Sequence, residues 1–218
     1  HMRHDQMPSL VEGSAPSGEL RDTLRQRWGL QHTVIVAGGA GDNAAAACGA
    51  GCFREGQGFV SLGTSGVLLA AKDRYAPDAA SAVHTFCHAV PDRWYQMGVI
   101  LAATDCLNWL SRTLGQDPVA LINQLPQTIS GPSDLMFLPY LSGERTPHND
   151  AKLRGGFIGL DVAHGPADMT QAVIEGVGFA LLDCLTALSG TGTTLTSVIA
   201  MGGGARSHYW RETLASTL

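Results

Sequence analysis

The sequence lacks a strong excess of charge of either sign. Its 218 residues include 14 Lys and Arg against 19 Asp and Glu, which gives a net charge of −5 at pH 7. This mildly acidic balance argues against binding to nucleic acids or to anionic membrane surfaces, because both require a basic patch. Charged residues make up 15% of the chain and hydrophobic residues 44%, which fits a soluble globular protein with a sizeable core.

The sequence also shows no apolar run of the length expected for a membrane span and no secretory signal. His1-Met2 is interpreted as a cloning scar and is left out of the fold prediction. The expected location is therefore the cytoplasm.

Cysteine is scarce, and its number is odd. The five cysteines lie within apolar or alanine-rich runs, which favours reduced, buried thiols. Cys48 and Cys52 are four residues apart, as are His84 and His88, and such pairs can bind zinc. No second pair at a known spacing completes a zinc motif, so core residues are favoured and no metal ligand is assigned. The cysteines are Cys48, Cys52, Cys87, Cys106 and Cys184.

Short apolar runs alternate with glycine-rich turns and helical patterns along the chain. Antiparallel strands early and strand–helix crossovers later predict an α/β fold with one mixed sheet and helices on both faces. Residues 7–18, rich in Pro, Ser and Gly, are predicted to form a loop. Strands are predicted at 33–37, 59–71 (a hairpin), 83–89, 94–101, 135–141, 157–160 and 198–201, and helices at 19–28, 42–47, 102–114, 118–125, 166–188 and from 207 onwards.

The stretch from Gly58 to Leu69 contains a tight turn, Gly63-Thr64-Ser65-Gly66, between two β-rich runs. Its glycines suit a hairpin turn with positive φ angles. Such a turn exposes backbone N–H groups and two hydroxyls, so it is a candidate phosphate cradle. An ordinary hairpin is the alternative.

A second glycine-rich turn, Gly202 to Ser207, lies between a predicted buried strand and a helix. It has neither the G-x-G-x-x-G order of a dinucleotide fingerprint nor the lysine of a P-loop. A run without Cβ atoms can still let a flat base or a ribose lie against the backbone. A tight strand-to-helix turn is the alternative.

Asp42 opens an alanine-rich helix directly after the turn at residues 38–41. One interpretation is that Asp42 or Asn43 caps the helix. The other is that Asp42 is a base at the mouth of a glycine-lined cleft, kept ionised by the helix dipole. In phosphoryl transfer such a base orients a hydroxyl and accepts its proton. Arg145, in the loop 143–148, could clamp an anion, although a surface Glu–Arg loop is the simpler interpretation.

Taken together, these motifs resemble the FGGY family of carbohydrate kinases, and within it the xylulokinases. The resemblance runs from about residue 30 to 218. It rests on VAGGAGDNAAAACGAG around Asp42, SLGTSG around Thr64, VHTFCHAVPDRWYQMG, FLPYLSGERTPHND, GGFIGLDVAHGPADMTQAVIEG, and GGGARS at 202–207.

The resemblance implies an actin-like ATPase, ribonuclease H-like fold in which two domains close over ATP-Mg²⁺ and a sugar. Residues 1–54 would be the tail of the N-terminal domain with the hinge, and 55–218 an incomplete C-terminal, nucleotide-binding domain. The family's first phosphate motif, Asp-x-Gly-Thr, is missing, so we expect an internal fragment that is inactive alone, with the Mg²⁺ ligands mostly outside it.

The resemblance also implies roles for individual residues. Asp42 would be the catalytic base, with Asn43 beside it on the sugar side. The ATP site would comprise Gly63, Thr64, Ser65, Gly66, Gly202, Gly203, Gly204, Ala205 and Arg206.

The expected reaction is phosphorylation of D-xylulose. The expected partners are a sugar and ATP, and a homodimer is compatible with the sequence. A gluconokinase or another FGGY sugar kinase is the first alternative. A non-catalytic actin-like nucleotide-binding module is the second.

Overall fold

The computed structural model describes residues 3–218, so the predicted cloning scar at His1-Met2 lies outside the described residues. The strands are β1 (Pro16–Glu19), β2 (Ile35–Ala37), β3 (Gln57–Leu62), β4 (Gly66–Lys72), β5 (His84–Cys87), β6 (Trp94–Ile100), β7 (Met136–Leu138), β8 (Gly156–Ile158) and β9 (Ser197–Met201). The helices are α1 (Asp22–Arg27), α2 (Asp42–Gly49), α3 (Thr104–Leu114), α4 (Pro118–Ile122), α5 (Pro166–Gly190) and α6 (His208–Thr217).

Five strands form the central sheet in the order β5-β6-β4-β3-β9. Neighbouring strands are antiparallel except for β3 and β9, which run parallel. The parallel pair needs a long crossover connection, and the chain between β3 and β9 contains α3, α4 and α5. The mixed sheet predicted from the sequence is therefore confirmed.

The two faces of the sheet are covered by different helices, because successive side chains of a strand point to opposite faces. Val60 and Leu68 belong to the larger core cluster, together with residues of α3, α5 and α6. Phe59 and Leu69 belong to a smaller cluster with buried alanines of α2. Helix α2 thus lies on the opposite face of the sheet from α3, α5 and α6.

Helix α5 is the central element of the larger cluster. Pro166 lies in its first turn, as predicted, and the Asp168 carboxylate accepts the N–H of Gly165 at 2.8 Å. By length and composition this helix could cross a membrane, contrary to the expectation that no apolar run has that length. More than half of its most apolar stretch is buried, within the larger core cluster, so in this fold it is a core helix.

The N-terminal segment departs from the prediction. Part of the expected loop, Pro16–Glu19, is strand β1, which pairs antiparallel with β2. The Ser17 hydroxyl also donates to the carbonyl of Val36 at 3.0 Å. The four residues of β1 are exposed, so backbone pairing rather than side-chain burial makes this segment a strand. The following helix begins at Asp22 instead of residue 19.

Several further elements are shorter than predicted; helix α4, for example, ends at Ile122 instead of residue 125. The strand expected at 135–141 is reduced to β7, which pairs with β8 in a separate two-stranded sheet. The strand expected at 83–89 is reduced to β5. The helix expected from 207 begins at His208, because the Ser207 hydroxyl accepts the N–H of Trp210 at 3.2 Å and caps it.

Candidate functional site

The β3–β4 turn is bound to the start of helix α3. The N–H of Ala103 donates to the carbonyl of Thr64 at 2.7 Å, and the N–H of Thr104 donates to that of Gly63 at 2.9 Å. The Thr104 hydroxyl donates to the same Gly63 carbonyl at 2.8 Å. Thr64 and Ser65 themselves are exposed. The turn is therefore held from behind through its carbonyls, while its two hydroxyl residues face solvent.

The two glycines of this turn do not have the positive φ angles that the sequence predicted. Among the described residues with positive φ, neither Gly63 nor Gly66 appears, so the expected left-handed hairpin turn is not formed. Gly66 is instead needed for space, because a Cβ there would lie 2.6 Å from Cγ1 of Ile100.

The second glycine-rich turn lies directly beside the first. Gly202 has a φ of +89°, and a Cβ on it would lie 2.7 Å from the carbonyl oxygen of Leu62. A Cβ on Gly204 would lie 2.8 Å from Cβ of Leu62 and 3.2 Å from Cγ2 of Thr104. Both contacts require glycine. The parallel register, with Ser61 opposite Met201, brings the ends of β3 and β9 together, so the two turns meet at one edge of the sheet.

A cavity of about 1080 Å³ opens beside the second turn. Its walls come from α3, α4, the segment 126–128 and the start of α6, and both apolar and amide side chains line it. A Cβ on Gly203 would have no atom within 4 Å, so a ligand could approach the backbone there. The lining includes Leu107, Asn108, Val119, Ile122, Asn123, Gln127, Gly203, Gly204, Arg206 and His208.

Glu212 of α6 binds the backbone at Ile129, directly after the wall segment 126–128. Its Oε2 accepts the N–H of Ile129 at 3.3 Å and lies 3.7 Å from Nδ1 of His208. The sequence predicted the glycines and Arg206 that line this cavity, but it did not predict the wall residues of α3, α4 and 126–128. No local motif marks them, since they meet only through the packing of separate elements.

Asp42 lies in a third segment, at the start of α2, and its side-chain hydrogen bonds among the described residues are with Asn43 and not with either turn. It is exposed and is the first residue of α2, and Gly41, not Asp42 or Asn43, is the N-cap residue. The capping interpretation is therefore wrong. The Asp42 carboxylate accepts the N–H of Asn43 at 2.8 Å. Asp42 belongs to α2, the helix that packs on the same face of the sheet as Phe59 and Leu69. Burial raises the pKa of Tyr95, and the Asp42 charge raises it further.

The histidine–cysteine spacing has a structural explanation. His88 is buried, its Nε2 lies 3.0 Å from the carbonyl of Cys52, and its Nδ1 accepts the N–H of Val90 at 3.1 Å. Burial lowers the pKa of His88, in keeping with a neutral ring that donates through Nε2. Within residues 3–218, no group of three or more His, Cys, Asp or Glu could hold a metal ion.

Comparison with known proteins identifies the family. The model of the C-terminal domain of the FGGY family of carbohydrate kinases matches residues 58–218. The chain belongs to this family.

Individual FGGY kinases match nearly the whole chain. A xylulose kinase of Escherichia coli K12 is 46% identical over 215 residues, which cover 98% of this chain and 44% of that protein. A crystal structure of a xyloylose kinase from Brucella ovis is 55% identical with a TM-score of 0.94, covering 97% of this chain and 44% of the other. A gluconate kinase structure from Lactobacillus acidophilus is 26% identical with a TM-score of 0.83, covering 98% and 44%.

These matches confirm the fold class expected from the sequence, the actin-like ATPase, ribonuclease H-like fold of FGGY kinases. They also show that the chain spans about 44% of the length of the relatives it matches.

Proposed function

We propose that this chain is the nucleotide-binding part of an ATP-dependent sugar kinase whose substrate is D-xylulose. The observation that carries the proposal is the meeting of the two glycine-rich turns at one edge of the sheet. There, the turn that carries the exposed Thr64 and Ser65 is bonded through the Gly63 carbonyl to Thr104, and Thr104 lines a cavity large enough for a nucleoside. The similarity to xylulose kinases over nearly the whole chain supports the choice of sugar.

The first turn is the proposed γ-phosphate site. The backbone N–H groups of residues 63–66 and the Thr64 hydroxyl would donate to phosphate oxygens. The anchoring of the Gly63 and Thr64 carbonyls to α3 fixes the turn before the nucleotide arrives, and such preorganised donors are the main protein contribution to phosphoryl transfer.

The second turn and the cavity are the proposed adenosine site. Gly203 and Gly204 leave the backbone open to a ribose or a base, with Gly202, Ala205 and Arg206 completing the loop. Apolar side chains of α3 and α4 would cover the faces of the base, and amide side chains would bind its edge.

Asp42 is the proposed base, with Asn43 next to it on the sugar side. The O5 hydroxyl oxygen of D-xylulose would attack the γ-phosphorus of ATP, and its proton would pass to the Asp42 carboxylate. The bond from the γ-phosphorus to the bridging oxygen would break, and ADP would leave with the electron pair. Mg²⁺, when bound to ATP, would neutralise charge on the phosphates, and we assign it no ligand in this chain.

A coupled ADP-release assay of the full-length kinase tests the proposal. The panel contains D-xylulose, other ketoses, gluconate and glycerol. We expect the highest kcat/KM with D-xylulose. The gluconate kinase match keeps gluconate as the second candidate, and a preference for gluconate would replace xylulose. ATP binding without ADP release for any sugar would favour the non-catalytic module.

A further inference from the structure

Glu144 is a buried carboxylate in the loop between β7 and β8. The sequence predicted a surface Glu–Arg loop, but Glu144 is only 2% exposed, so that prediction is wrong for the glutamate. Burying a carboxylate is costly unless hydrogen bonds compensate. Its Oε1 accepts the N–H of Leu101 at 2.9 Å and that of Arg145 at 2.7 Å. Both bonds fall on Oε1, whereas the buried Oε2 has no hydrogen-bond partner among the described residues, so the cost of burying the carboxylate is compensated only in part.

The Leu101 bond places Glu144 behind the phosphate-binding turn. Leu101 follows β6 directly, and two residues later the N–H groups of Ala103 and Thr104 hold the carbonyls of Thr64 and Gly63. The short segment 101–104 is therefore bound on one side by the Glu144 carboxylate and on the other by the turn. A shift of this segment would be passed on to the turn.

The loop that carries Glu144 is itself firmly attached. Thr146 exchanges two hydrogen bonds with Val99 of β6, one from its N–H and one to its hydroxyl, each of 3.0 Å. The Thr146 hydroxyl also donates to the carbonyl of Ala82 at 3.0 Å. Glu144 and Asp150 exchange backbone bonds of 2.9 Å. The loop that carries Glu144 is thus hydrogen-bonded to β6 and to Ala82, so Glu144 can hold segment 101–104 in a fixed position.

We infer that Glu144 is a positioning residue for the phosphate-binding turn, acting through the N–H of Leu101 and the start of α3. This inference rests on the proposed function, because it concerns the turn assigned to the γ-phosphate. It gives a role to a carboxylate that is buried in this part of the fold. Burial raises the pKa of Glu144, and the two backbone N–H bonds oppose that rise, as expected if they stabilise the carboxylate.

The test compares three substitutions of Glu144 in the full-length kinase. Glu144→Leu keeps much of the volume and removes both acceptors, so kcat/KM for ATP should fall about tenfold, within the range of about 100-fold that a 1 Å misplacement can cause. Glu144→Gln keeps an oxygen acceptor and should restore most of the loss. Glu144→Asp, a milder change that withdraws the acceptor by one methylene, should raise KM for ATP even if the Leu variant does not fold. KM for the sugar should change little in all three.

Thr193→Val is the matched control. Thr193 is equally buried and bonds to Gln96, but it lies near the start of β9, far from the turn. At a similar loss of melting temperature it should leave KM for ATP unchanged. If the Glu144 variants affect KM for ATP no more than this control, Glu144 has only a structural role and the inference is overturned.

Thr64→Val, assayed in parallel, separates this failure from failure of the proposed function. If Thr64→Val raises KM for ATP while the Glu144 variants do not, only the inference fails. If neither change affects ATP, the turn is not the phosphate site and both fail.

Discussion

At the scale of single residues, Asp42 carries the proposed chemistry. An amide cannot accept the sugar proton, so Asp42→Asn in the full-length kinase should lower kcat by ~10²–10⁴-fold, the usual contribution of a positioned base. KM for ATP should change little, because both glycine-rich turns are intact. Steady-state kinetics and a melting curve check this.

Asp168→Asn is a matched control, since Asp168 also lies in the first turn of a helix but is not part of the site. It should keep normal turnover. An Asp42→Asn enzyme of normal melting temperature with more than about a tenth of wild-type kcat would remove Asp42 from the mechanism.

At the same scale, substitution of Thr64 tests the proposed phosphate site. Valine keeps the shape of threonine and removes the hydroxyl donor. Hydrogen bonds to charged groups are worth about 1.5–3 kcal/mol, so Thr64→Val should raise KM for ATP by about tenfold or more and leave KM for the sugar nearly unchanged. Separate titrations of ATP and sugar give the two constants. Equal effects on both would mean that Thr64 is an ordinary turn residue.

At the scale of secondary-structure elements, replacing glycine with alanine should have opposite effects on stability at two positions of α5, Gly176 and Gly190. Alanine is normally about 1 kcal/mol better than glycine inside a helix. A Cβ on Gly176, however, would clash with the backbone carbonyl of Phe137, whereas one on Gly190 would meet nothing within 4 Å.

Gly176→Ala should therefore destabilise the chain, and Gly190→Ala should be neutral or stabilise it by up to about 1 kcal/mol. Urea denaturation of both variants measures the difference. Equal stability of the two would contradict the close packing of α5 against β7.

The strands and helices also show how much of the fold can be predicted from a single sequence. Strands β3, β4 and β6 were predicted closely, because apolar, β-branched runs bounded by turn residues are a strong local signal. Strand β1 was missed, because Pro16–Glu19 has the composition of a loop and becomes a strand only by pairing with β2. Helix α5 was predicted almost to its end from its proline start and its apolar face.

The candidate site was predicted in part for the same reason. Glycine-rich turns are visible locally, so both turns were identified. Local sequence patterns did not predict their contact, which depends on the parallel pairing of β3 with β9; only the family resemblance implied that both turns belong to one ATP site. Gly66 was interpreted as a turn glycine with positive φ, but the space beside Ile100 is what requires it, and that neighbour is distant in sequence. The buried position of Glu144 likewise depends on a bond to Leu101.

At the scale of the whole molecule, the chain alone should bind ATP weakly and phosphorylate no sugar. It spans about 44% of the length of its relatives, and it contains one of the two phosphate motifs that the family resemblance implies. A closing second domain, which excludes water during phosphoryl transfer, is also expected from outside this stretch. Calorimetry with ATP and an ADP-release assay with D-xylulose measure the two properties. Sugar-dependent ADP release by the chain alone would show that it contains a complete active site.

The parallel pairing of β3 with β9 has a consequence for the order of folding. The β3–β4 hairpin closes over a few residues, but the Thr196 hydroxyl, next to β9, bonds to the carbonyl of Gly56, 140 residues earlier in the chain. Closing so long a loop is slow relative to local pairing. The second glycine-rich turn should therefore join the first in the last stage of folding. Pulse-labelling hydrogen exchange would show this as late protection of β9 amides, and simultaneous protection of β3, β4 and β9 would contradict it.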